Sequence, residues 1–496
     1  MQSVFLAFDI NSSGLRASLI DENLNVLRNV STTYPTHRLP DGGAEQDAAD
    51  WWMSAVRAML MLRELVPEYV KRVDAIGICG HMTGCLPMDK NGQALAPAMI
   101  HADLRALPYS RMLREQFGRD YFYDLTGNVL SPRATLCKAI WLKNERPEVY
   151  ENTYKILQAK DYLVYRMTNN LDCTDMSDAS HGMLMELSRQ DYNAEMFRNV
   201  GLDVTKFPQI HTACELAGTL SDQAAGALGL RSGIPVSVGG GDGACASIGA
   251  GVAKNGDFYL SLGTTAWIAG QMAEPFFDPQ HRVFHICTLD GKGCNVFGTM
   301  QAAGKSVTWA QELFDVSSPR TFDSSASTVG PGAGGMIYLP YLDGERSPVF
   351  DAQAQGVFFG MNSTMKREHF LRAVLEGVGC GLSQILDVMR EREDIRDLRI
   401  IGGGARSKLW KQIIADICGV NLHDISTFSD SATSLGAAAA AGVGIGVFRD
   451  LSEAAANICF SGVTVPDEAT KEIYALTKKR YAMLYPSLAE AFHTRA

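Results

Sequence analysis

The sequence predicts an α/β protein built from two domains of related topology. Three observations carry that expectation. The chain has 496 residues, more than one hydrophobic core can organise. Two segments about 250 residues apart, VFLAFDINSSGLRASLI and FYLSLGTTAWIAG, each read as strand, small polar turn, strand. Two others run from a strand into three glycines: VSVGGGDGACASIGAGV continues into Asp242 and small residues, and Leu398 to Cys418 continues into a helix. If the related domains face one another, both polar turns point into one cleft.

Composition narrows the function. Hydrophobic residues make up 46% and charged residues 20%, as in an ordinary globular chain. A net charge of −10 argues against a nucleic-acid partner, which calls for a basic patch, and gives no reason to expect binding to anionic lipid. The eleven cysteines are scattered without a C-x-x-C pair, a pattern of reduced thiols in the cytoplasm rather than of a disulfide framework. The N-terminus runs directly into a strand with no signal-peptide pattern, and Leu435 to Val447 is short and rich in Gly and Ala, hence a packed helix rather than a membrane span.

Taken in order, Val4–Phe8 is an apolar strand ending at Asp9, followed by Asn11, Ser12, Ser13, Gly14 and Arg16, with strands at Ala17–Ile20 and Val26–Val30. A carboxylate, two hydroxyls and a basic residue in one turn suit a phosphate with its Mg²⁺; the alternative is an ordinary polar hairpin. Asp47 is placed to cap a helix from Ala48 to Leu65, with Trp52, Val56 and Met59 on one face. The strand Val73–Cys79 ends in Gly80-His81-Met82-Thr83-Gly84, where a small molecule fits or where His81 is a structural hydrogen-bonder. Asp103 and Arg105 suit hydroxyl binding or, locally, a helix cap. Tyr121 to Arg198 is mainly helical, and Asp172, Asp175 and Asp178 sit at capping rather than metal-binding spacing.

Asp242 follows Gly239, Gly240 and Gly241 at a strand end. That suits a general base aimed into a cleft, or a capping Asp in a tight structural turn. The small residues after it permit close approach of backbones. Gly263-Thr264-Thr265 can offer N–H and O–H groups to a phosphate. The helix opened by Ala303-Gly304-Lys305-Ser306 is not a P-loop, because that motif needs a glycine where Thr299 stands. Ser317–Gly335 reads as loop, Glu345 and Arg346 as a buried ion pair, Leu371–Val388 as a long helix, and Ser452–Cys459 and Asp467–Ala491 as packing helices. The strand–glycine–helix element at Gly402–Ser407 suits a nucleotide, since glycines admit a flat group and the helix N-terminus offers free N–H groups.

The stretches FDINSSGLR, AEQDAADWW, GICGHMTG, GGGDGACASIGAG, LSLGTTAWI, YLDGERSP with QGVFFGM, and IGGGARSKLW together resemble the FGGY family of carbohydrate kinases, the xylulokinase branch nearest. They occur in family order over nearly the whole chain. The resemblance implies an actin-like, ribonuclease H-type duplicated fold with a central cleft: residues 1–247 as a sugar-binding domain holding the catalytic Asp, and 248–496 as a nucleotide-binding domain. It implies ATP-dependent phosphorylation of a pentulose or related sugar, D-xylulose to D-xylulose 5-phosphate first. The alternatives are another ketopentose, a polyol, a deoxy-sugar, or a non-catalytic regulator on the same fold. ATP, Mg²⁺ and sugar are the implied ligands, with a homodimer as the suggested assembly.

Carried over by motif, Asp242 is expected to be the catalytic base, and Asp9 with Asp242 to position Mg²⁺. Ser12, Ser13, Arg16, Gly263 and Thr264 fall to the phosphates. Gly304, Thr308, Gly404, Ala405 and Ser407 fall to the nucleotide. His81, Met82, Thr83, Asp103 and Gly243 fall to the sugar. The departures concentrate at the sugar end: His81-Met82-Thr83 for Gln-Met-His, His101-Ala102-Asp103 for Trp-Asn-Asp, and Gly243 for Asn. Asn11, at the phosphate turn, replaces a glycine. Changed hydrogen-bonding groups at the sugar end are expected to shift the choice of acceptor.

Overall fold

The computed structural model describes residues 3–425 and 431–494. Two seven-stranded sheets carry the architecture. In the first, Val4–Ile10, Gly14–Asp21 and Val26–Thr33 form an antiparallel meander. Val73–Gly80 runs parallel to Val4–Ile10, Pro235–Ser237 parallel to Val73–Gly80, and Leu216–Thr219 closes the edge antiparallel. The second sheet repeats this order. Phe258–Leu262, Ala266–Met272 and Cys294–Met300 form the meander, Asp397–Ile401 and Asn421–Ile425 follow in parallel, and Phe460–Thr464 closes antiparallel. Phe284–Cys287 is added outside the second meander. The internal similarity between the two strand–turn–strand segments is therefore a duplicated sheet.

Strand alternation places the first functional residue. All seven residues of Val4–Ile10 are buried, because helices cover both faces. Val4, Leu6, Phe8 and Ile10 pack with Trp51, Ala55 and Met59 of the helix Ala48–Leu65, which Asp47 caps through Ala49 N. Phe5 and Ala7 pack on the opposite face with Leu435 and Ala438 of the helix Ala432–Gly444. Asp9 continues that second face and meets the start of the same helix. The approach there is close: a Cβ on Gly77 would lie 2.1 Å from Ala437 O, on Gly436 2.1 Å from Cys245 O, and on Gly249 1.9 Å from Ala432 O. Small residues in both helices thus seat Ala432–Gly444 against the Val73–Gly80 strand and the helix Asp242–Gly249. The division expected after residue 247 falls inside that last helix.

Several local expectations are corrected. Ser317–Gly335 contains a helix, Pro319–Ala326, started by Ser318 accepting from Thr321 N and by Pro at its first position. The strands Asn421–Ile425 and Phe460–Thr464 were absent from the sequence reading, and Ser452–Cys459 shortens to Leu451–Ala455, capped by Asp450. Neither Asp103 nor Arg105 caps Leu107–Phe117. Glu345 does not pair with the Arg346 side chain; its Oε1 instead accepts the N–H groups of Gln301 and Arg346, each at 2.7 Å. Among the described residues no helix is long and apolar enough to cross a membrane.

Candidate active site

The Asn11–Ser13 turn is held from outside. Asn11 N donates to Gly14 O at 2.8 Å, and the Tyr34 hydroxyl donates to Asn11 O and Gly14 O. Gln46 Nε2 and Thr36 Oγ1 donate to Ser12 O at 2.7 and 3.0 Å. The carbonyls are thus tied back, while Ser12 and Ser13 stay exposed at a cleft of about 480 Å³ that Asp9, Arg16, Trp267, Gly402 and Thr433 also line. Tyr34 and Gln46 were not singled out in the sequence, although Gln46 belongs to one of the recognised stretches. The Gly263-Thr264 turn is braced differently: Gly304 N donates to Gly263 O, and Ala303 N and Lys305 N to Thr264 O, at 2.9–3.1 Å. The helix Gly304–Leu313 therefore begins directly on the Gly263-Thr264 backbone. A Cβ on Gly304 would stand 2.6 Å from Gly263 O.

Asp9 is 2% exposed. Its Oδ2 accepts from Thr433 Oγ1 at 2.6 Å, while Oδ1 is buried without a hydrogen-bond partner among the described residues. Asp242 opens its helix, with Oδ1 accepting from Gly243 N at 2.8 Å. Protein packed around the Asp242 carboxyl, with the Asp9 carboxylate behind it, pushes its pKa up to about 7. The turn in front is fixed by Ser177, whose hydroxyl accepts from Gly241 N at 2.8 Å and donates to Asp175 Oδ2. Asp175 caps Met176–His181, as its spacing predicted, and with Asp161 and Asp178 it surrounds the buried Lys160 ammonium. Among the described residues no group of three or more His, Cys, Asp or Glu is arranged to hold a metal ion alone. Two carboxylates, one with an orphaned oxygen, beside a turn rich in hydroxyls fit Mg²⁺ well. That ion usually takes one or two carboxylates and completes its shell with water and phosphate.

After the strand Val73–Gly80, His81, Met82 and Thr83 are all buried, and Thr83 takes the left-handed backbone conformation at φ 60°. The His81 ring lies 5.7 Å from Trp51 and 5.8 Å from His101, edge-on to both. Neither His81 nitrogen has a hydrogen-bond partner among the described residues, and burial lowers its pKa to about 3, with His101 and the Lys138 ammonium adding to the fall. Lys138, unremarked in the sequence, is fully buried and donates to Thr83 O and Ile100 O at 2.6 and 2.7 Å. An ammonium interrupting the apolar run of Thr135–Glu145 was the available signal. Desolvation brings its pKa down to about 7. Asp103 is wholly buried; Arg105 donates to its carboxylate at 2.7 Å and Ala44 N at 2.9 Å, so both of its oxygens are engaged within the protein. A Cβ on Gly243 would come within 3.2 Å of Ile286 and 3.7 Å of Met82 Sδ, which places Gly243 beside Met82.

At the far end, Gly402 lines the cleft with φ 94°, where a Cβ would strike Leu262 O at 2.7 Å. Gly404 lies against the Leu262 side chain, Ala405 follows in the same turn, and Ser407 caps Lys408–Cys418 by accepting from Trp410 N at 3.0 Å. Thr308 is exposed on Gly304–Leu313, one turn beyond the Gly263 contact.

Comparison with known proteins bears on this geometry. Models of the FGGY family of carbohydrate kinases match residues 4–249 with the N-terminal domain and 258–445 with the C-terminal domain. The chain is 30% identical to the xylulose kinase of Escherichia coli, covering 98% of this chain and 99% of that one. It is also 30% identical to the xylulose kinase of Bacillus subtilis, over 91% and 90%. Among solved structures it superposes on a "xyloylose kinase" from Brucella ovis with TM-score 0.92 and 27% identity, covering 98% and 100% of the two chains.

Proposed function

The chain belongs to the FGGY family of carbohydrate kinases, and from that premise we propose that it transfers the γ-phosphoryl group of ATP to a hydroxyl of a pentulose or related sugar, with D-xylulose as the first acceptor. The observation that carries the reading is the pairing of Asp242, whose carboxyl is pushed up to about 7 by burial and by Asp9, with Asp9, whose buried Oδ1 has no partner among the described residues, beside the Asn11–Ser13 turn.

In this reading the acceptor lies against His81, Met82, Thr83 and Gly243, with one hydroxyl at the Asp242 carboxylate. Asp242 takes that proton as the hydroxyl oxygen bonds to the γ-phosphorus and the bond from phosphorus to the β,γ-bridging oxygen breaks. ADP then leaves. A base with a pKa near the working pH is both present as carboxylate and basic enough to help. Ser12, Ser13 and Arg16 hold the phosphates from one side, and Gly263 and Thr264 from the other. Gly304, Thr308, Gly404, Ala405 and Ser407 border the nucleoside. Asp9, with Asp242 facing it, would hold Mg²⁺, which when bound neutralises charge on the phosphate oxygens. Alignment and charge neutralisation are the main demands of phosphoryl transfer, and these groups supply both. The enzyme is proposed to act in the cytoplasm, where its eleven free thiols stay reduced, and as a homodimer.

The test is ADP release with Mg-ATP across ketopentoses, pentitols, tetritols and deoxy-sugars, with the product identified by ³¹P NMR. Acceptor-dependent ADP with a stoichiometric sugar phosphate supports the reading. ATP turnover indifferent to every acceptor overturns it.

A further inference from the structure

The Asp242 carboxylate is delivered by very little backbone. Gly240–Gly241, the two residues before it, pair in parallel with Cys79–Gly80 and with no other described strand. A Cβ on Gly241 would stand 2.5 Å from Met82 Cε, so the turn carries no side chain that could brace it. The brace comes from the helix Met176–His181. Gly241 N donates to Ser177 Oγ at 2.8 Å, and a Cβ on Gly240 would lie 3.4 Å from the same oxygen.

A serine hydroxyl has one hydrogen to give, and here its direction is decided. The Ser177 hydroxyl donates to Asp175 Oδ2, and that oxygen also accepts from Ser177 N at 2.8 Å. With the proton committed there, a lone pair is left for Gly241 N. Asp175 is held in turn by the Lys160 ammonium, 3.1 Å from its Oδ1 and 2.5 Å from Asp161 Oδ1. Lys160, Asp161, Asp175 and Ser177 are all buried. Burial opposes the Lys160 charge, yet the carboxylates raise its pKa above the ordinary lysine value, so the cation persists. Removing either partner of such a pair strands a buried charge, which keeps the hydroxyl's surroundings fixed.

The same helix reaches the second sheet. Ser180, one turn after Ser177, donates to Ser177 O at 2.9 Å and accepts from Cys287 N at 3.0 Å. Asn128 Nδ2 bridges Ser180 O and His285 O at 3.2 and 3.0 Å. His285 and Cys287 belong to Phe284–Cys287, the strand added outside the second meander. Met176–His181 thus holds the Asp242 turn through one serine and the second sheet through the next.

Resting on the kinase reading above, we propose that Ser177, oriented by Asp175 and Lys160, is a positioning residue for Asp242, and that Ser180 sets that carboxylate in register with the second sheet, which carries the Gly263-Thr264 turn. Phosphoryl transfer depends on the alignment of base, hydroxyl and phosphorus, so a displaced Gly241 amide displaces the base.

The test measures kcat and KM with Mg-ATP and the best acceptor across pH in wild type, Ser177→Ala and Ser180→Ala, with ATP affinity by calorimetry. Ser177→Ala leaves in place Asp9, Asp178, Cys79, Cys245 and Tyr259, the titratable groups around Asp242. The proposal expects kcat to fall at least tenfold in Ser177→Ala, with ATP affinity within twofold of wild type. The acidic limb of kcat/KM should move to lower pH by at least half a unit, as the released carboxyl gains water. Ser180→Ala should lower kcat at least threefold with both KM values near wild type. A wild-type kcat in Ser177→Ala overturns the positioning role. So does a lower kcat with an unmoved acidic limb, the mark of lost folded enzyme alone. A wild-type kcat in Ser180→Ala overturns the link to the second sheet. If Ser177→Ala does not fold, Ser177→Cys, similar in size and a weak acceptor, is read in the same way. If wild type forms no sugar phosphate, the kinase reading falls and melting decides the positioning. The gain in melting temperature from Asp242→Asn at pH 8 should at least halve in the Ser177 variant, and an unchanged gain overturns the role.

Discussion

Replacing Asp242 with Asn should stabilise the protein as it removes activity, and the gain should depend on pH. In the folded chain the Asp242 carboxyl is raised from an ordinary 3.8 to about 7, first by burial and then by the Asp9 carboxylate. Below about pH 3.8 the group is protonated in both states and contributes no penalty. Between about pH 4 and 7 the unfolded chain ionises first, folding takes up a proton, and stability falls as pH rises. Above about pH 7 the loss is complete. The gap between the two pKa values corresponds to roughly 4 kcal/mol. Solvent at the cleft mouth screens part of it, so about 2–4 kcal/mol is the expected range. Asn keeps the side-chain oxygen that accepts from Gly243 N and carries no charge. Thermal melts of wild type and Asp242→Asn at half-unit steps from pH 4.5 to 8.5 read this directly. The variant's advantage should be smallest near pH 4.5, about a quarter of its full size, and reach several degrees above pH 7. A gap that is constant with pH, or a variant less stable at pH 8, refutes the electrostatic reasoning.

Three further outcomes follow from the same geometry. Gly304→Ala sets a methyl group 2.6 Å from Gly263 O and should raise KM for ATP about tenfold, with KM for the sugar nearly unchanged, in initial-rate kinetics. Thr433→Val removes the donor to Asp9 Oδ2; the Mg²⁺ concentration for half-maximal rate should shift several-fold, while unchanged Mg²⁺ dependence would separate Thr433 from the metal. Lys138→Met leaves Thr83 O unpaired in the interior, while Ile100 O keeps the Asp103 N–H at 3.0 Å, costing roughly 1–3 kcal/mol in denaturant unfolding and raising the acceptor KM.

Much of this site was legible as punctuation. Val4–Ile10 ends in a carboxylate and a hydroxyl turn, Gly239–Gly241 delivers Asp242 to a helix start, and the glycines at 402–404 accommodate Leu262. Each is a place where only small or polar residues fit, and that constraint is written locally. The duplication was legible because both meanders repeat one pattern of strand and turn. What escaped was non-local. Thr433 lies 424 residues from Asp9, and nothing near it marks the contact. Lys160, beside Asp161 on one helix, meets Asp175 and Asp178 at the start of another, so the acidic run read as capping alone. Glu345 and Arg346, adjacent in sequence, turn apart because backbone N–H groups claim the carboxylate. The strands Asn421–Ile425 and Phe460–Thr464 carry too few apolar positions to alternate visibly; pairing with a preformed sheet makes them strands.

The most direct test of the central claim follows sugar phosphate and ADP together, with Mg-ATP and the best acceptor, in wild type and Asp242→Asn, with ATP affinity measured separately. The account predicts that ADP and sugar phosphate appear in equal amounts in wild type, that both fall by at least a thousandfold in Asp242→Asn, and that ATP still binds the variant. Sugar phosphate formed by Asp242→Asn at near wild-type rate, or ADP released without phosphorylated acceptor, would contradict it.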